Sequence, residues 1–322
     1  MKNNEIKVSV IILAYNHEKY LHHAIESVLS QKTDFKYEIL INDDFSQDQT
    51  PMIAKKYAAK YPDIIRFYRQ EKNIGPTRSG YEMLLKCRGK YIASCEGDDY
   101  WCDDNKLQIQ ADFLDNHLEY SGCTHEMRIV DENEQPLRCQ KLHWISRHRD
   151  YGIEDFKGIY LPGHPNSTMR RNYYLDSDFD GSIFYKAHKM IGDRTNALIW
   201  ASKGRFYRFS QVMGCYRYII RKNAENLTSR LYIDADNKIR DDFEYTERLE
   251  EYAESLKIKA SFEHHKHELF CSAVIQSLLK RKNKDLPKKI LNRCKNKVMC
   301  LLSFPAHAAI KFYNKIIVFK IK

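Results

Sequence analysis

Three carboxylates lie within four residues in the segment Cys95-Glu-Gly-Asp-Asp-Tyr-Trp101. They follow a short run of apolar and small residues that begins at Tyr91, whose length and flanks predict a buried strand of a parallel sheet. Carboxylates this close repel one another unless a cation lies between them, and hard oxygen ligands of this kind suit Mg²⁺ or Mn²⁺. The alternative is a solvated acidic turn that opens the next helix, with Asp104 as its cap.

A second pair of acids, Asp43 and Asp44, directly follows the apolar run from Tyr37 to Asn42. The carboxyl ends of strands in an open α/β sheet are where ligands bind, so both groups of acids are expected to share one site. Such a constellation can hold a nucleoside diphosphate, with acids for base, ribose and metal. The glycine-rich fingerprints of dinucleotide-binding and P-loop proteins do not follow the first strand, which argues against those classes.

The scaffold for these acids is an alternation of strands and helices. Helical spacing of apolar residues from Leu21 to Leu29 predicts a first helix, with Asn16 as its N-cap, and Thr50 is expected to cap the second. Alternation of this kind indicates βαβ units and a mostly parallel sheet with helices on both faces. The predicted strands are Val8–Ala14, Tyr37–Asn42, Ile64–Tyr68 and Tyr91–Cys95.

The net charge of +10 is concentrated at the C-terminal end of the sequence. Residues 281–322 contain 12 Lys and Arg and a single acid, Asp285, whereas residues 1–280 carry a net charge of −1. We therefore expect no nucleic-acid partner for the main domain. Nine scattered cysteines without Cys-x-x-Cys or zinc-binding spacing indicate reduced thiols. With no signal-peptide pattern and no long apolar stretch, we expect a cytoplasmic protein.

Three motifs together resemble the signature blocks of family-2 glycosyltransferases. The resemblance covers residues 1–220 and implies the GT-A fold, an α/β domain that binds nucleotide-diphospho-sugars, followed by a helical C-terminal extension over 221–322. It also implies an inverting, metal-dependent enzyme that moves a sugar, with a UDP-sugar expected as donor, to a hydroxyl of a growing surface glycan or lipid-linked acceptor. The motifs are Val8-Ser-Val-Ile-Ile-Leu-Ala-Tyr-Asn16, Asn42-Asp-Asp-Phe-Ser-Gln-Asp-Gln-Thr50 and Cys95-Glu-Gly-Asp-Asp-Tyr-Trp101.

The resemblance also assigns roles to individual residues. Asp44 would grip the nucleobase and Tyr15 would lie along the base or ribose. Asp98 matches the metal-binding position of the family's Asp-x-Asp motif and would bind Mn²⁺ or Mg²⁺, while Glu96 replaces the commoner first aspartate, and Asp99 would orient the site. The implied nucleotide-binding set is Ala14, Tyr15, Asn16, Asp43, Asp44, Glu96, Gly97 and Asp98.

A single acid matches the family's catalytic base. Asp193, in Met190-Ile-Gly-Asp-Arg194, is the only acid between Asp180 and Glu225. In this role it would take the proton from the acceptor hydroxyl as a general base. The alternative is a helix N-cap, because Gly-Asp precedes an apolar run, and both roles are compatible.

A loop rich in Gly and Pro, residues 161–171, falls between the two halves of the predicted site. Its side chains His164, Ser167 and Thr168 are candidate contacts to the donor sugar, although a lone histidine in a loop is more often structural. Trp101 is a candidate wall for sugar or acceptor, and a buried core tryptophan is equally compatible with the sequence.

The C-terminal part offers two further patterns. His264, His265 and His267 suggest a metal site, but the spacing lacks matching cysteines or carboxylates, which favours a solvated helical face. Lysines and arginines precede the apolar run from Val298 to Phe304, and Pro305 follows it, so we expect two short amphipathic segments that lie on the inner surface of an anionic membrane. The alternative is a pair of packing helices with a solvated face.

Two other functions remain compatible with parts of this pattern. One is a nucleotidyltransferase on a related fold, although its usual glycine-rich phosphate loop is absent after the first strand. The other is a non-catalytic module that binds sugar nucleotides or membranes. The acids Asp44, Asp98 and Asp193 argue against a module, because binding alone needs no general base.

Overall fold

The computed structural model describes residues 5–137, 142, 144–219, 237–280 and 283–320. A single sheet of nine strands forms its centre. The strands are β1 Ile6–Ala14, β2 Lys36–Asp43, β3 Ile65–Arg69, β4 Tyr91–Glu96, β5 Tyr100–Trp101, β6 Tyr120–Val130, β7 Asp150–Tyr151, β8 Met169–Arg171 and β9 Arg205–Arg217. The α-helices are α1 Leu21–Leu29, α2 Thr50–Lys60, α3 Pro76–Leu84, α4 Lys106–Asn116, α5 Ile153–Phe156, α6 Ile183–Lys186, α7 Asp193–Ala201, α8 Lys238–Ser255, α9 Glu263–Lys280, α10 Leu286–Arg293 and α11 Lys297–Lys320.

The strand order places β1 in the middle of a parallel half-sheet. The order is β3-β2-β1-β4-β8-β6-β9-β5, with β7 paired to β9. The pairs β3–β2, β2–β1 and β1–β4 are parallel, as predicted, whereas β8 runs antiparallel to both β4 and β6. The carboxyl ends of β1, β2 and β4 therefore meet at one edge of the sheet.

Both faces of the parallel half are buried, which explains why its strands read as continuous apolar runs. Alternate residues of β1 point in opposite directions: Val10 and Ile12 belong to the core that includes α1, α2 and α4, whereas Ile11 packs with Met83 and Leu84 of α3 on the other side. The sequence specifies this register because a shift of one residue would exchange the two faces.

The predicted N-cap at Asn16 is wrong. Helix α1 begins at Leu21, and Asn16 has a left-handed backbone with φ of 56°. Asparagine tolerates this conformation better than most residues. Its backbone N–H donates to Ser46 Oγ at 2.9 Å, so the loop after β1 is tied to the loop after β2. Thr50 is the first residue of α2 and not the residue before it.

The C-terminal helices contact the rest of the protein through α8, which packs against α7. Arg194 of α7 binds Asp242 and donates to Thr246 Oγ1 at 2.7 Å, and Thr195 contacts the Tyr245 hydroxyl at 2.7 Å. Leu249 lies in the same apolar cluster as the residues of α7. The predicted domain boundary between residues 220 and 221 lies within 220–236, a range outside the described residues.

The basic tail differs from the prediction of two segments divided by Pro305. One helix, α11, continues through Pro305, and the break lies earlier, between Arg293 and Lys297. A proline removes one helical hydrogen bond but does not always end a helix. Within the described residues, no helix combines the length and apolarity needed to cross a membrane.

The solvated face predicted for the three histidines of α9 is also only partly correct. The side chain of His265 is 3% exposed and its Nε2 lies 3.0 Å from Asp242 Oδ1. His264 and His267 are 35% and 13% exposed. The histidines therefore face different surroundings, and His265 belongs to the contact between α8 and α9.

Candidate functional site

The ends of β1, β2 and β4 are joined by backbone hydrogen bonds. The N–H of Asp44 donates to Ala14 O at 2.9 Å, and the N–H of Gly97 donates to Leu13 O at 3.0 Å. A Cβ at Gly97 would lie 2.8 Å from Leu13 O, so only glycine allows this approach. The two predicted groups of acids are thereby brought to one edge of the sheet.

The acids after β4 form a crowded cluster of negative charge. Burial, together with the nearby carboxylates of Asp98 and Asp193, raises the pKa of Glu96 well above its usual value. Burial, with Asp98 and Glu96, likewise raises the pKa of Asp99. Asp99 is fully buried, and its Oδ2 lacks a hydrogen-bond partner. Solvated acidic turns do not show this pattern, which is typical of functional sites.

Two basic side chains next to this cluster were not identified from the sequence. The N–H of Arg217 donates to Asp99 Oδ1 at 2.8 Å, and its guanidinium binds the carbonyl oxygen of Asp98 and, at 2.5 Å, Glu134 Oε1. His17 Nε2 lies 3.9 Å from Asp98 Oδ2. Both residues come from distant segments, so their proximity to the acids had no local signal.

The acids after β2 are largely occupied by the protein itself. Asp43 forms an ion pair with Arg69 at 3.1 Å and is fully buried. The carboxylate of Asp44 accepts the N–H groups of Ile74 and Gly75, each at 2.9 Å. Burial raises the pKa of Asp44 in spite of these bonds. Asp43 therefore fixes the strand end, and Asp44 shapes the loop that faces the edge.

The other predicted nucleotide-binding residues, which follow β1, lie at the same edge. Ala14 is buried and Tyr15 is half-buried. Asn16 Oδ1 accepts the N–H of Gln47 at 3.0 Å. The whole predicted nucleotide-binding set is thus gathered around the ends of three neighbouring strands.

Asp193 comes from a different part of the chain, at the start of α7. It is the first residue of α7, and the N-cap position is occupied by Gly192 rather than by Asp193. Burial raises its pKa to about 6, and the charge of Arg170 opposes that shift. Since Asp193 also raises the pKa of Glu96, the two halves of the predicted site lie close together.

A cleft opens beside Asp193. The guanidinium of Arg170 lies 4.7 Å from the ring centroid of Trp200 and donates to Ser94 Oγ at 3.4 Å, so it is fixed in the wall. Arg170 was not singled out from the sequence, although it belongs to the segment 161–171 that was predicted as a loop; in the structure it lies in β8. The lining residues are Ser94, Leu161, Pro162, Gly163, Pro165, Thr168, Arg170, Asp193, Asn196, Ala197 and Phe206.

The residues predicted to contact the sugar have different environments. His164 is buried, which lowers its pKa to about 3, and one of its ring nitrogens lies within 4.8 Å of carboxylate oxygens of Glu96 and Asp99. The hydroxyls of Ser167 and Thr168 both donate to His164 O, at 2.7 and 3.2 Å. Ser167 is fully buried, whereas Thr168 lines the cleft.

Trp101 belongs to the core and does not form a wall of the cleft. It is 4% exposed, and its Nε1–H donates to Asn166 O at 3.0 Å. The ammonium of Lys106 lies 3.9 Å from the ring centroid. Asn166 Oδ1 in turn accepts the N–H of Glu96 at 3.3 Å, so Asn166 connects Trp101 to the acidic segment.

Comparison with known proteins supports the interpretation of these motifs. Residues 9–176 match the family model described as glycosyl transferase family 2. The minor teichoic acid biosynthesis protein GgaA of Bacillus subtilis is 37% identical over 234 residues, which are 70% of this chain and 50% of GgaA. The matches span between 36% and 50% of the length of the first curated relatives.

Solved structures share the fold at low sequence identity. S. aureus TarS 1-349 in complex with UDP-GlcNAc has a TM-score of 0.52 and 18% identity, over 90% of this chain and 84% of that one. GalNAc-T7 with UDP, GalNAc and Mn²⁺ has a TM-score of 0.57 and 12% identity, over 87% of this chain and 59% of that one. The predicted GT-A fold with a helical C-terminal region is thus confirmed.

Proposed function

The chain belongs to glycosyl transferase family 2, and from this premise we propose that it transfers a sugar from a UDP-sugar to a hydroxyl of a growing surface glycan or lipid-linked acceptor. The observation that carries the proposal is the convergence of Asp193 with the acids that follow β4. Transfer of a sugar needs a site for the diphosphate and a base for the acceptor hydroxyl, and the acids after β4 together with Asp193 supply candidates for both.

A divalent cation fits the acids at the sheet edge. Asp99 Oδ2 is buried without a hydrogen-bond partner. The charge of Asp98 raises the pKa of both Glu96 and Asp99, and a bound cation would relieve this crowding of negative charge. Their oxygens are the hard ligands that Mg²⁺ and Mn²⁺ prefer. We assign Asp98 as the direct ligand, and the bound cation would neutralise charge on the leaving diphosphate.

Asp193 is the general base of the proposed reaction. Its pKa of about 6 leaves it ionised at neutral pH and still basic enough to accept a proton. The acceptor hydroxyl gives its proton to Asp193 as its oxygen bonds to the anomeric carbon, while the bond from that carbon to the diphosphate breaks and the electron pair leaves with the diphosphate. One such attack opposite to the leaving group inverts the anomeric centre.

Arg170 holds this base in its reactive state. Its guanidinium is almost fully buried and stacked on Trp200. The positive charge opposes the effect of burial on Asp193 and therefore favours the carboxylate over the acid. Asp193 also stands in the first turn of α7, where the helix dipole favours a negative charge.

The donor site is assigned to the loops after β1 and β2. Asp44 and Tyr15 are proposed to contact the base and ribose, and Glu96 the ribose. TarS 1-349 has been crystallised in complex with UDP-GlcNAc, which supports a uridine nucleotide as donor. GgaA is named as a teichoic acid biosynthesis protein, which supports a surface polymer as acceptor.

The basic tail is proposed to hold the enzyme at the inner membrane surface, where lipid-linked acceptors are located. At the start of α11, Val298, Met299, Leu301 and Leu302 are between 52% and 69% exposed. Clustered lysines and arginines next to such apolar side chains favour anionic lipid surfaces. Sedimentation with phosphatidylglycerol vesicles should capture the protein, and L301E/L302E should release it; capture that persists in this variant would remove α11 from the contact.

The test of the proposed reaction is Asp193→Asn. Loss of the base should lower turnover by about 10²–10⁴-fold, while UDP binding, measured by calorimetry with Mn²⁺, stays unchanged. Asp178→Asn, which removes an exposed acid, serves as the control. Unchanged turnover in Asp193→Asn would remove this residue from the mechanism. Absence of turnover in the wild type with every UDP-sugar, despite nucleotide binding, would favour a binding module.

A further inference from the structure

Three side chains that are distant in sequence meet in the helical extension. His267 lies on α9, Cys294 directly follows α10, and Cys300 lies in the first turn of α11. One ring nitrogen and the two sulfur atoms all lie within 4.8 Å of one another. This cluster is separate from the acids at the sheet edge and has no part in the proposed transfer reaction.

The cluster is buried and its nitrogen has no partner. Cys294 is 4% exposed and Cys300 is fully buried. His267 Nε2 is buried without a hydrogen bond, and the nearest acidic oxygen, Glu263 Oε2, is 3.9 Å away. Native proteins rarely leave a buried polar nitrogen unsatisfied, so an unpaired nitrogen that lies beside two thiols suggests a missing ligand.

We propose that His267, Cys294 and Cys300 bind one Zn²⁺ ion. Two thiolates and an imidazole are the ligands that structural zinc sites use, in tetrahedral geometry with four ligands. The Glu263 carboxylate, whose Oε2 lies 3.9 Å from His267 Nε2, is the candidate for the fourth ligand. Binding converts both thiols to thiolates and releases their two protons to solvent, with no change of oxidation state.

The position of the site suggests what the ion does. The turn between α10 and α11 is already tied to α9: Lys266 Nζ donates to Arg293 O, and the N–H of Lys295 donates to Glu263 Oε2, each at 2.9 Å. A zinc ion would link the same turn to α9, because Cys294 and Cys300 lie on either side of the turn and His267 lies on α9. It would thereby fix the direction in which the tail helix α11 leaves the protein.

The histidines of α9 suggested a metal site from the sequence, but its two cysteine ligands could not be identified because the three residues are not arranged as a motif. Cys294 and Cys300 have five residues between them, and His267 belongs to a different helix. Only the packing of α9 against α10 and α11 unites them. The sequence spacing offered no cysteines to match these histidines, whereas the structure brings Cys294 and Cys300 next to His267.

Zinc content of the full-length protein is the first test. Protein purified without a metal-affinity tag or chelator should contain one zinc ion per chain by mass spectrometry of the metal. Cys294→Ser and Cys300→Ser should each remove it. Cys102→Ser is the matched control, because Cys102 and Cys215 also form a close thiol pair. Asp98→Asn should also retain the zinc, which separates this ion from any cation at the sheet edge.

Cobalt substitution tests the ligands without a mutation. Co²⁺ added to the metal-free, reduced wild-type protein should give the near-ultraviolet charge-transfer band of a cobalt–thiolate bond and the visible bands of a tetrahedral site. Absence of both bands in folded protein would overturn the proposal. So would a Cys294–Cys300 disulfide in protein purified from a reducing cytosol, or zinc retained by both serine variants.

Discussion

Buried charge is arranged in opposite ways at the sheet edge and in the helical extension. At the edge, burial and neighbouring carboxylates raise the pKa of Glu96 and of Asp99. In the extension, Asp242 is half-buried, and His265 and Arg194 more than offset the effect of burial and hold its pKa well below the usual value. Like charges are crowded in one region, and opposite charges are paired in the other.

This difference distinguishes a region that is arranged to bind a ligand, the sheet edge, from a region that is arranged for stability, the helical extension. A buried ion pair leaves a costly unpaired charge when one partner is removed, so the extension should depend on each of its members. Crowded carboxylates destabilise the free protein and become favourable only with a cation. The same change, aspartate to asparagine, should therefore have opposite effects on stability in the two regions.

The largest effect is expected for Asp98→Asn at the sheet edge. Mn²⁺-dependent UDP affinity should fall by more than about 10-fold, because even indirect changes around a metal cost that much. Turnover should fall with it. Without metal, however, the melting temperature should rise, since one of the repelling charges is gone. Calorimetric titration and thermal unfolding measure the two effects, and a lower melting temperature would contradict the comparison.

Asp242→Asn should have the reverse effect. It leaves Arg194 and His265 buried without their anion, so the free energy of unfolding should fall by about 3 kcal/mol, the lower end for a broken buried pair, because the Asp242 side chain is 29% exposed. Denaturant unfolding provides the value, and the folded fraction should still bind UDP. Glu244→Gln, which breaks the exposed pair with Arg248, is the control with little expected change. Equal losses in both variants would show that burial is not decisive.

A smaller, graded effect is expected from pH. Asp193 accepts a proton only as the carboxylate, and burial places its pKa at about 6. The value of kcat/KM should therefore be constant above that pH and fall tenfold per unit below it. Arg170→Met, which removes the positive charge that opposes the effect of burial on Asp193, should move the midpoint upward. A profile that does not change between pH 5 and pH 8 would show that another group accepts the proton.

Much of the parallel half of the fold was predictable because its signals are local. The strand predicted from Tyr91 to Cys95 is one residue longer in the structure. The ends of the other three predicted strands, which became β1, β2 and β3, agree with the structure to within two residues. Apolar runs bounded by glycine and acids specify both the strand and the position of the acids that follow. The predicted nucleotide-binding acids consequently lie together at the sheet edge.

The residues that the sequence did not indicate act over long distances. Arg217 and Asp99 are 118 positions apart, and no pattern connects them before the sheet is formed. The same is true of Asp242 and His265 in the extension, where a charged, histidine-rich helix resembles a solvated one. The context that keeps α11 continuous through Pro305 is likewise not contained in the local sequence.

The measurement that tests the central claim most directly is the thermal stability of the wild-type protein with UDP, with and without Mn²⁺. If the crowded acids form a metal-dependent nucleotide site, UDP with Mn²⁺ at 100 times its dissociation constant should add about 2.7 kcal/mol to the free energy of unfolding. UDP alone should add much less. Folded protein whose stability is unchanged by UDP or other nucleoside diphosphates, with or without Mn²⁺, would contradict the account.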